Sequence, residues 1–184
     1  MQATGIHIGS QPNGNNINDQ VGSEDPKKMT ETVLENGACL GIAHDGDGDR
    51  IIVCDETGNI LDGDEVIGIL ALDLADQQKL NNNQVVVTIH SNLGLDHSLR
   101  KNNITTFRTS VGDKHVLQSM LSNDCNLGGE SSGHIIIRDC LEAGDGLIAA
   151  LSLIDCMQRQ QKPLSLLRQS ITLFPKLTSN IPIK

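Results

Sequence analysis

Ala43-His44-Asp45-Gly46-Asp47-Gly48-Asp49-Arg50-Ile51-Ile52-Val53-Cys54 is the stretch on which the reading of this chain turns. Two apolar runs, Ala38 to Ala43 and Ile51 to Cys54, flank it and read as short strands. Between them Asp45, Asp47 and Asp49 alternate with Gly46 and Gly48, which brings three carboxylates within reach of one point. Glycine lets the backbone curl so that the oxygens converge. Three unpaired carboxylates repel, so a hard cation is their natural partner. All-oxygen ligation suits Mg²⁺ or Ca²⁺, and no Cys or His cluster nearby suits zinc.

Two competing readings are an EF-hand and a solvated acidic turn without metal. The EF-hand spacing would run from Asp45 to Glu56, but its sixth position must be glycine and here it is Arg50. Its flanks should also be helices, not strands. Mg²⁺ is the expected cofactor. Arg50 beside the three acids can hold an anionic group against such a metal, and phosphate is the usual one. Mg²⁺ commonly completes its shell with phosphate oxygens and water, so the loop points to phosphoryl transfer.

Outward from this loop, Lys27 to Asn36 predicts a short helix started after Pro26 and stopped at Gly37. The first 26 residues are rich in Asn, Gly, Gln and Asp, a composition that favours a floppy tail. Asp55-Glu56-Thr57-Gly58 makes a turn. Asp64-Glu65 opens a helix over Val66 to Ala75, with its acids at the positive end. Strands are expected at Gln84 to Ile89, at Ile104 to Arg108 and at His134 to Arg138. Helices are expected at Leu93 to Lys101, Asp113 to Leu121, Asp145 to Gln161 and Pro163 to Gln169. Strands thus alternate with helices from Asp64 onward, the mark of an α/β fold.

A second polar cluster is Gly128-Gly129-Glu130-Ser131-Ser132-Gly133-His134. Glu130 can accept from two vicinal hydroxyls, while Ser132 and His134 can donate or accept. Sugar binding fits this set; so does a plain polar hairpin turn. No Gly-x-Ser-x-Gly elbow supports a hydrolase triad, and no GxxxxGK[ST] pattern supports a P-loop.

The bulk numbers narrow the class. The 184 residues suffice for one domain or two small ones. Fourteen basic against 23 acidic side chains give a net charge of −9, which argues against nucleic acid and anionic membrane as partners. The core must be aliphatic, since there is no Trp, no Tyr and only two Phe. Five cysteines without a CxxC pair predict free thiols in a reducing compartment. No apolar run approaches the roughly 20 residues of a membrane span. Met1-Gln2-Ala3-Thr4 carries no leader features, so a cytoplasmic protein is expected.

Asp45-Gly46-Asp47-Gly48-Asp49-Arg50, followed about eighty residues later by Gly128 to His134, resembles the α-D-phosphohexomutase family. The first motif is similar to the family's metal loop and the second to its sugar-specificity loop. Pro12-Asn13-Gly14-Asn15-Asn16-Ile17-Asn18, Val111-Gly112-Asp113-Lys114 and Gly144-Asp145-Gly146-Leu147 look like the bacterial phosphoglucosamine mutase branch. The resemblance implies mixed-sheet α/β domains, one partial and one complete. Residues 1–59 would be the latter part of domain two, 60–172 domain three, and 173–184 a linker to an absent domain four.

By the same resemblance Asp45, Asp47 and Asp49 would bind Mg²⁺, and Arg50 would face the phosphoryl group in transit. Glu130 and Ser132 would read the sugar hydroxyls, and His134 would touch the sugar and shuttle a proton. Lys114, where many relatives carry Arg, would be a further catalytic contact. Ser131 stands where relatives often have Asn, Gln or Met, which bears on the choice of hexose. The substrate implied is a phosphorylated hexosamine, with mannose and glucose phosphates as alternatives, and the parent enzyme would be a homodimer. The opening Asn-rich segment becomes an ordered loop on this reading. A phosphoserine loop and a phosphate-clamping loop are missing from the 184 residues, so a non-catalytic binding fragment is the other expectation.

Overall fold

The computed structural model describes residues 4–177. Met1-Gln2-Ala3, part of the segment on which the absence of a leader is read, lies outside the described residues, as does the expected linker beyond Leu177.

Helix α1 (Lys27–Asn36) ends as expected at Gly37, which takes a left-handed φ of 59° and returns its N–H to the Val33 carbonyl. The helix buries Met29 and Val33 against a three-stranded antiparallel sheet. That sheet is a meander of β1 (Leu40–His44), β2 (Ile51–Asp55) and β3 (Ile60–Leu61). The register pairs Leu40 with Asp55 and His44 with Ile51, so residues 45–50 form the tip of the β1–β2 hairpin. The turn to β3 is tied by Asp55, whose Oδ1 accepts the backbone N–H groups of Thr57 and Asn59, both at 2.9 Å.

Helix α2 (Gly63–Asp76) follows at once. Its capping box is complete: Asp62 accepts from the Glu65 N–H, and Glu65 accepts from the Asp62 N–H. The second sheet has the order β5-β4-β6-β7. Strands β4 (Gln84–Thr88), β5 (Thr105–Thr109) and β6 (Leu127–Gly129) run parallel, and β7 (Ile135–Ile137) returns antiparallel to β6. Helices α3 (Leu93–Arg100) and α4 (Asp113–Ser122) make the crossovers from β4 to β5 and from β5 to β6. Helix α5 (Gly146–Gln160) follows β7, and α6 (Leu164–Leu167) leads into a 3₁₀ turn at Arg168–Ser170.

Val85 and Val87 of β4 face a core shared with α2, α3 and α5, while Val86 faces a smaller cluster with Val116 and Met120 of α4. Helices therefore cover both faces of the mixed sheet, as the continuous Val run of a buried strand requires. Ile51, Val53 and Leu61 of the first sheet join the larger cluster, so the two sheets share one core. Each fully buried Val, Leu or Ile contributes about 1.5–3 kcal/mol. No aromatic side chain is buried among the described residues; Phe107 is half-buried and Phe174 exposed.

The α/β class and the mixed sheet hold. Several boundaries differ from the sequence reading. Ala38 and Cys39 precede β1, Ile104 precedes β5, and Ile89 follows β4. The segment Pro163 to Gln169 is a four-residue helix and a 3₁₀ turn, too short to propagate. Strict alternation fails at β6 and β7, which are joined directly by the Glu130–His134 turn. All five cysteines are free; Cys54, Cys125 and Cys156 are buried and Cys39 and Cys140 exposed.

Candidate functional site

The hairpin tip brings the three aspartates together. Asp45, Asp47 and Asp49 each offer one carboxylate oxygen, and these oxygens lie within 4.8 Å of one another. Asp45 is buried, Asp49 half-buried and Asp47 exposed. Arg50 organises the inner end: its backbone N–H donates to Asp45 Oδ1 at 3.2 Å and its Nε to Asp45 Oδ2 at 2.5 Å. Its Nη1 donates to Glu24 Oε1 at 3.0 Å. His44 Nδ1 donates to the Arg50 carbonyl at 3.0 Å and so closes the loop from behind.

The charges are unevenly shared. Burial raises the Asp45 carboxyl, but the hydrogen bonds and charge of Arg50 outweigh it and hold the group below the ordinary aspartate value. Asp49 moves the other way: burial and the Asp45 charge raise it, only partly offset by His134. The cluster is therefore short of positive charge on its Asp47 and Asp49 side. A hard cation ligated by three oxygens fits that deficit and the donor set.

The glycine-rich loop lies against this tip. Arg50 and His134 pair as an isolated antiparallel bridge, and the Ile51 N–H donates to the Gly133 carbonyl at 3.1 Å. Gly133 has φ 93°, and a Cβ there would overlap the Ile51 carbonyl. His134 is 7% exposed and places Nε2 3.6 Å from Asp49 Oδ2; its Nδ1 has no hydrogen-bond partner among the described residues. A Cβ on Gly144 would overlap the His134 ring, so glycine there makes room for the imidazole. Gly146 in turn abuts the Arg50 carbonyl and His44, and its N–H donates to the Gly48 carbonyl at 3.0 Å.

The remaining candidates lie further along the same loops. Glu130 is half-buried, and its Oε1 accepts the Gly112 N–H at 2.9 Å. Lys114 stands exposed in the first turn of α4, and among the described residues its ammonium makes no hydrogen bond or ion pair. Ser132 is exposed at the crown of the turn. The structure thus gathers Asp45, Asp47, Asp49, Arg50 and His134 at one place, and it ties Glu130 to the start of the helix that bears Lys114. Among the described residues neither Ser132 nor the Lys114 ammonium makes a hydrogen bond or ion pair with the acidic tip.

Glu24, His44 and Gly112 have roles that the sequence reading did not assign. Glu24 sits in the Asn-rich opening segment, which is ordered against the tip: the Ser23 N–H donates to the His44 carbonyl at 3.0 Å, and Ile17 covers Gly46. The floppy-tail composition is misleading here because the ordering contacts come from outside the segment.

Residues 62–174 match the family model described as phosphoglucomutase/phosphomannomutase, alpha/beta/alpha domain III. Phosphoglucosamine mutase of Bacillus cereus (strain B4264) is 47% identical over 176 residues, 96% of this chain. Its counterpart in Bacillus anthracis (strain CDC 684 / NRRL 3495) shows the same identity and coverage. The chain spans 39% of the length of each. A phosphoglucomutase/phosphomannomutase family protein of Burkholderia thailandensis superposes with a TM-score of 0.73 at 23% identity, over 82% of this chain and 32% of its own. Aspergillus fumigatus N-acetylphosphoglucosamine mutase, solved with GlcNAc-6P and magnesium, gives 0.67 at 20% identity, over 89% of this chain and 42% of its own. The two structures share the fold, and the family match spans well over half of the chain, which therefore belongs to the phosphoglucomutase/phosphomannomutase family of α-D-phosphohexomutases.

Proposed function

We propose that this chain is the metal- and sugar-binding portion of a Mg²⁺-dependent phosphosugar mutase that interconverts glucosamine 6-phosphate and glucosamine 1-phosphate. The observation that carries the reading is the junction of the two loops. The Arg50–His134 bridge and the Asp49–His134 approach set the acidic tip beside the glycine-rich turn. The 47% identity to bacterial phosphoglucosamine mutases favours glucosamine over mannose or glucose.

On this reading, domain two ends near residue 59, domain three covers residues 60–172, and the rest leads toward a fourth domain. Mg²⁺ held by Asp45, Asp47 and Asp49 would neutralise charge on a phosphoryl group in transfer. Arg50, fixed by Asp45, would face that group from the protein side. Glu130 and Ser132 would accept from and donate to the sugar hydroxyls. His134, buried beside Asp49, would hold or pass the proton of the attacking hydroxyl. Lys114 would meet the anionic end of the ligand.

A phosphoserine would carry the phosphoryl group through a bisphosphate intermediate. Neither a Thr-x-Ser-Gly nor an Arg-x-Ser-Gly-Thr pattern occurs in the 184 residues, so this chain by itself binds rather than turns over. The compartment proposed is the cytoplasm, and the partners are the phosphosugar and a second copy of the parent enzyme. No helix among the described residues is long and apolar enough to cross a membrane. The test is a coupled mutase assay with Mg²⁺ and a bisphosphate primer, on the purified chain and on a parent enzyme carrying it. Activity of the parent on glucosamine 6-phosphate and none from the chain is expected. A parent that acts on mannose phosphate alone removes the substrate assignment, and turnover by the chain alone at roughly 10 s⁻¹ removes the binding-fragment reading.

A further inference from the structure

We infer that Gly112 is a positioning residue for Glu130, fixing one carboxylate oxygen so that a ligand meets the other; the inference rests on the assignment of Glu130 to the sugar site. Gly112 occupies the N-cap position of α4 with φ 119° and ψ 135°, and it has no side chain of its own to cap the helix. Its N–H instead reaches Glu130 Oε1 across 18 residues of sequence. That backbone conformation is one L side chains rarely adopt, yet the space is open. A Cβ at 112 would meet only His115 Cδ2, at an ordinary 3.6 Å. Conformation rather than packing therefore demands glycine.

Glu130 is held at both ends. Its backbone N–H donates to the His134 carbonyl at 2.9 Å and its carbonyl accepts from the Gly133 N–H at 3.0 Å, while Gly112 fixes the side chain. Oε2 makes no hydrogen bond among the described residues and is the oxygen left for a hydroxyl. A carboxylate at a helix N-terminus also favours the helix, so Glu130 steadies α4 and with it the start of the turn that carries Lys114. A residue driven to negative φ at 112 would turn its peptide away from Glu130, and the carboxylate would lose its aim while its charge remained.

Calorimetric titration of glucosamine 6-phosphate in Mg²⁺, with wild type, Gly112→Ala, Glu130→Ala and the double variant, tests this. Loss of a charge-assisted bond predicts binding weakened about tenfold or more by Glu130→Ala and about fivefold by Gly112→Ala. The double variant should bind no more weakly than Glu130→Ala alone, because the glycine acts through the carboxylate. Thermal unfolding separates the strain, since Gly112→Ala should lower stability in both backgrounds. Additive losses of affinity, or full affinity in Gly112→Ala, would overturn the inference. Unchanged affinity in Glu130→Ala sinks the sugar-site assignment and this inference with it. The Gly112 amide proton resonance in the unmutated chain gives a check that needs no strained variant. It should shift on ligand addition and stay still in Glu130→Ala, and a resonance indifferent to ligand in wild type counts against the coupling.

Discussion

The backbones of Arg50 and His134 pair directly, although 84 residues separate them in the chain. This one bridge joins the tip of the first sheet's hairpin to the turn between β6 and β7. It sets His134 Nε2 3.6 Å from Asp49 Oδ2. The acidic tip and the glycine-rich turn thus meet through backbone and side chain together.

The acidic tip should distinguish its three members. Asp47 is exposed and makes no hydrogen bond among the described residues, so Asp47→Asn should weaken Mg²⁺ by about tenfold or more with little change in stability. Asp45→Asn should do both, because it also breaks the bond between the buried Asp45 carboxylate and the half-exposed Arg50. Affinity should fall as pH falls, since burial and the Asp45 charge raise Asp49 and protons then compete with the metal. Calorimetry with Mg²⁺ on wild type, the two single variants and the triple Asn variant is the measurement. Equal affinity in wild type and triple variant would remove the metal site.

Glu24 takes up a hydrogen-bond donor at the edge of the Arg50 guanidinium, with Oε1 3.0 Å from Nη1. Its side chain is 71% exposed, so the pair contributes little to stability. A phosphoryl oxygen arriving at the same nitrogen must displace it. Glu24→Gln should therefore strengthen binding of inorganic phosphate in Mg²⁺ roughly two- to fivefold, the equivalent of about 0.5–1 kcal/mol. The unfolding midpoint should stay where it is. Weaker phosphate binding in the variant would show that Glu24 helps aim Arg50 instead of competing for it.

How far the sequence discloses this site depends on the range of the contacts. The Asp-Gly alternation from Asp45 to Asp49 is a local pattern, and glycine freedom, seen in the φ of 78° at Gly48, helps its oxygens converge. The Asp62–Glu65 capping box is seen only in the structure, while helix α1, the body of α2 and the Val85 to Val87 strand were likewise legible from local pattern. The Arg50–His134 bridge was not, because a two-residue pairing between loops leaves no periodic trace. The sequence leaves both Glu130 oxygens open to hydroxyls, yet one of them serves Gly112. No local rule announces a helix cap supplied from another loop. Glu24 escaped notice because a segment rich in Asn and Gly looks alike whether it is loose or laid against a partner.

Asp64 gives the fold a pH dependence away from the site. It is 1% exposed at the start of α2, and Oδ2 accepts the Asn92 N–H at 2.6 Å while Oδ1 has no partner among the described residues. Burial pushes its carboxyl up to about 6, opposed chiefly by the Asn92 hydrogen bond and more weakly by Lys176, with Asp62 adding to the rise. A folded value above the unfolded one means that the folded state binds the proton more tightly. Stability from this group is thus complete at low pH and is lost as pH rises from about 4 through about 6. The full swing is on the order of 3 kcal/mol. Asp64→Asn, which can still accept from Asn92, should be more stable than wild type at pH 7.5 and similar to it at pH 4. Urea midpoints of the two proteins at both pH values decide it; a variant less stable than wild type at pH 7.5 rules the account out.

Gly144 is the position where a single methyl group should do the most selective damage. A Cβ there would overlap the imidazole of His134, which is buried and packed behind the acidic tip. The neighbour is a ring with no free end to swing aside, and the backbone of His134 is pinned to Arg50. Gly144→Ala must therefore either push the ring toward Asp49 or spread the turn from the hairpin tip. Overpacking of this kind costs about 1–3 kcal/mol. The Gly144→Ala, His134→Ala double variant removes the clash by opening the space, so it should recover stability relative to Gly144→Ala alone. Chemical denaturation of the four proteins of this cycle reads the coupling. Equal penalties for Gly144→Ala with and without the imidazole would mean that Gly144 is there for its backbone and not for His134.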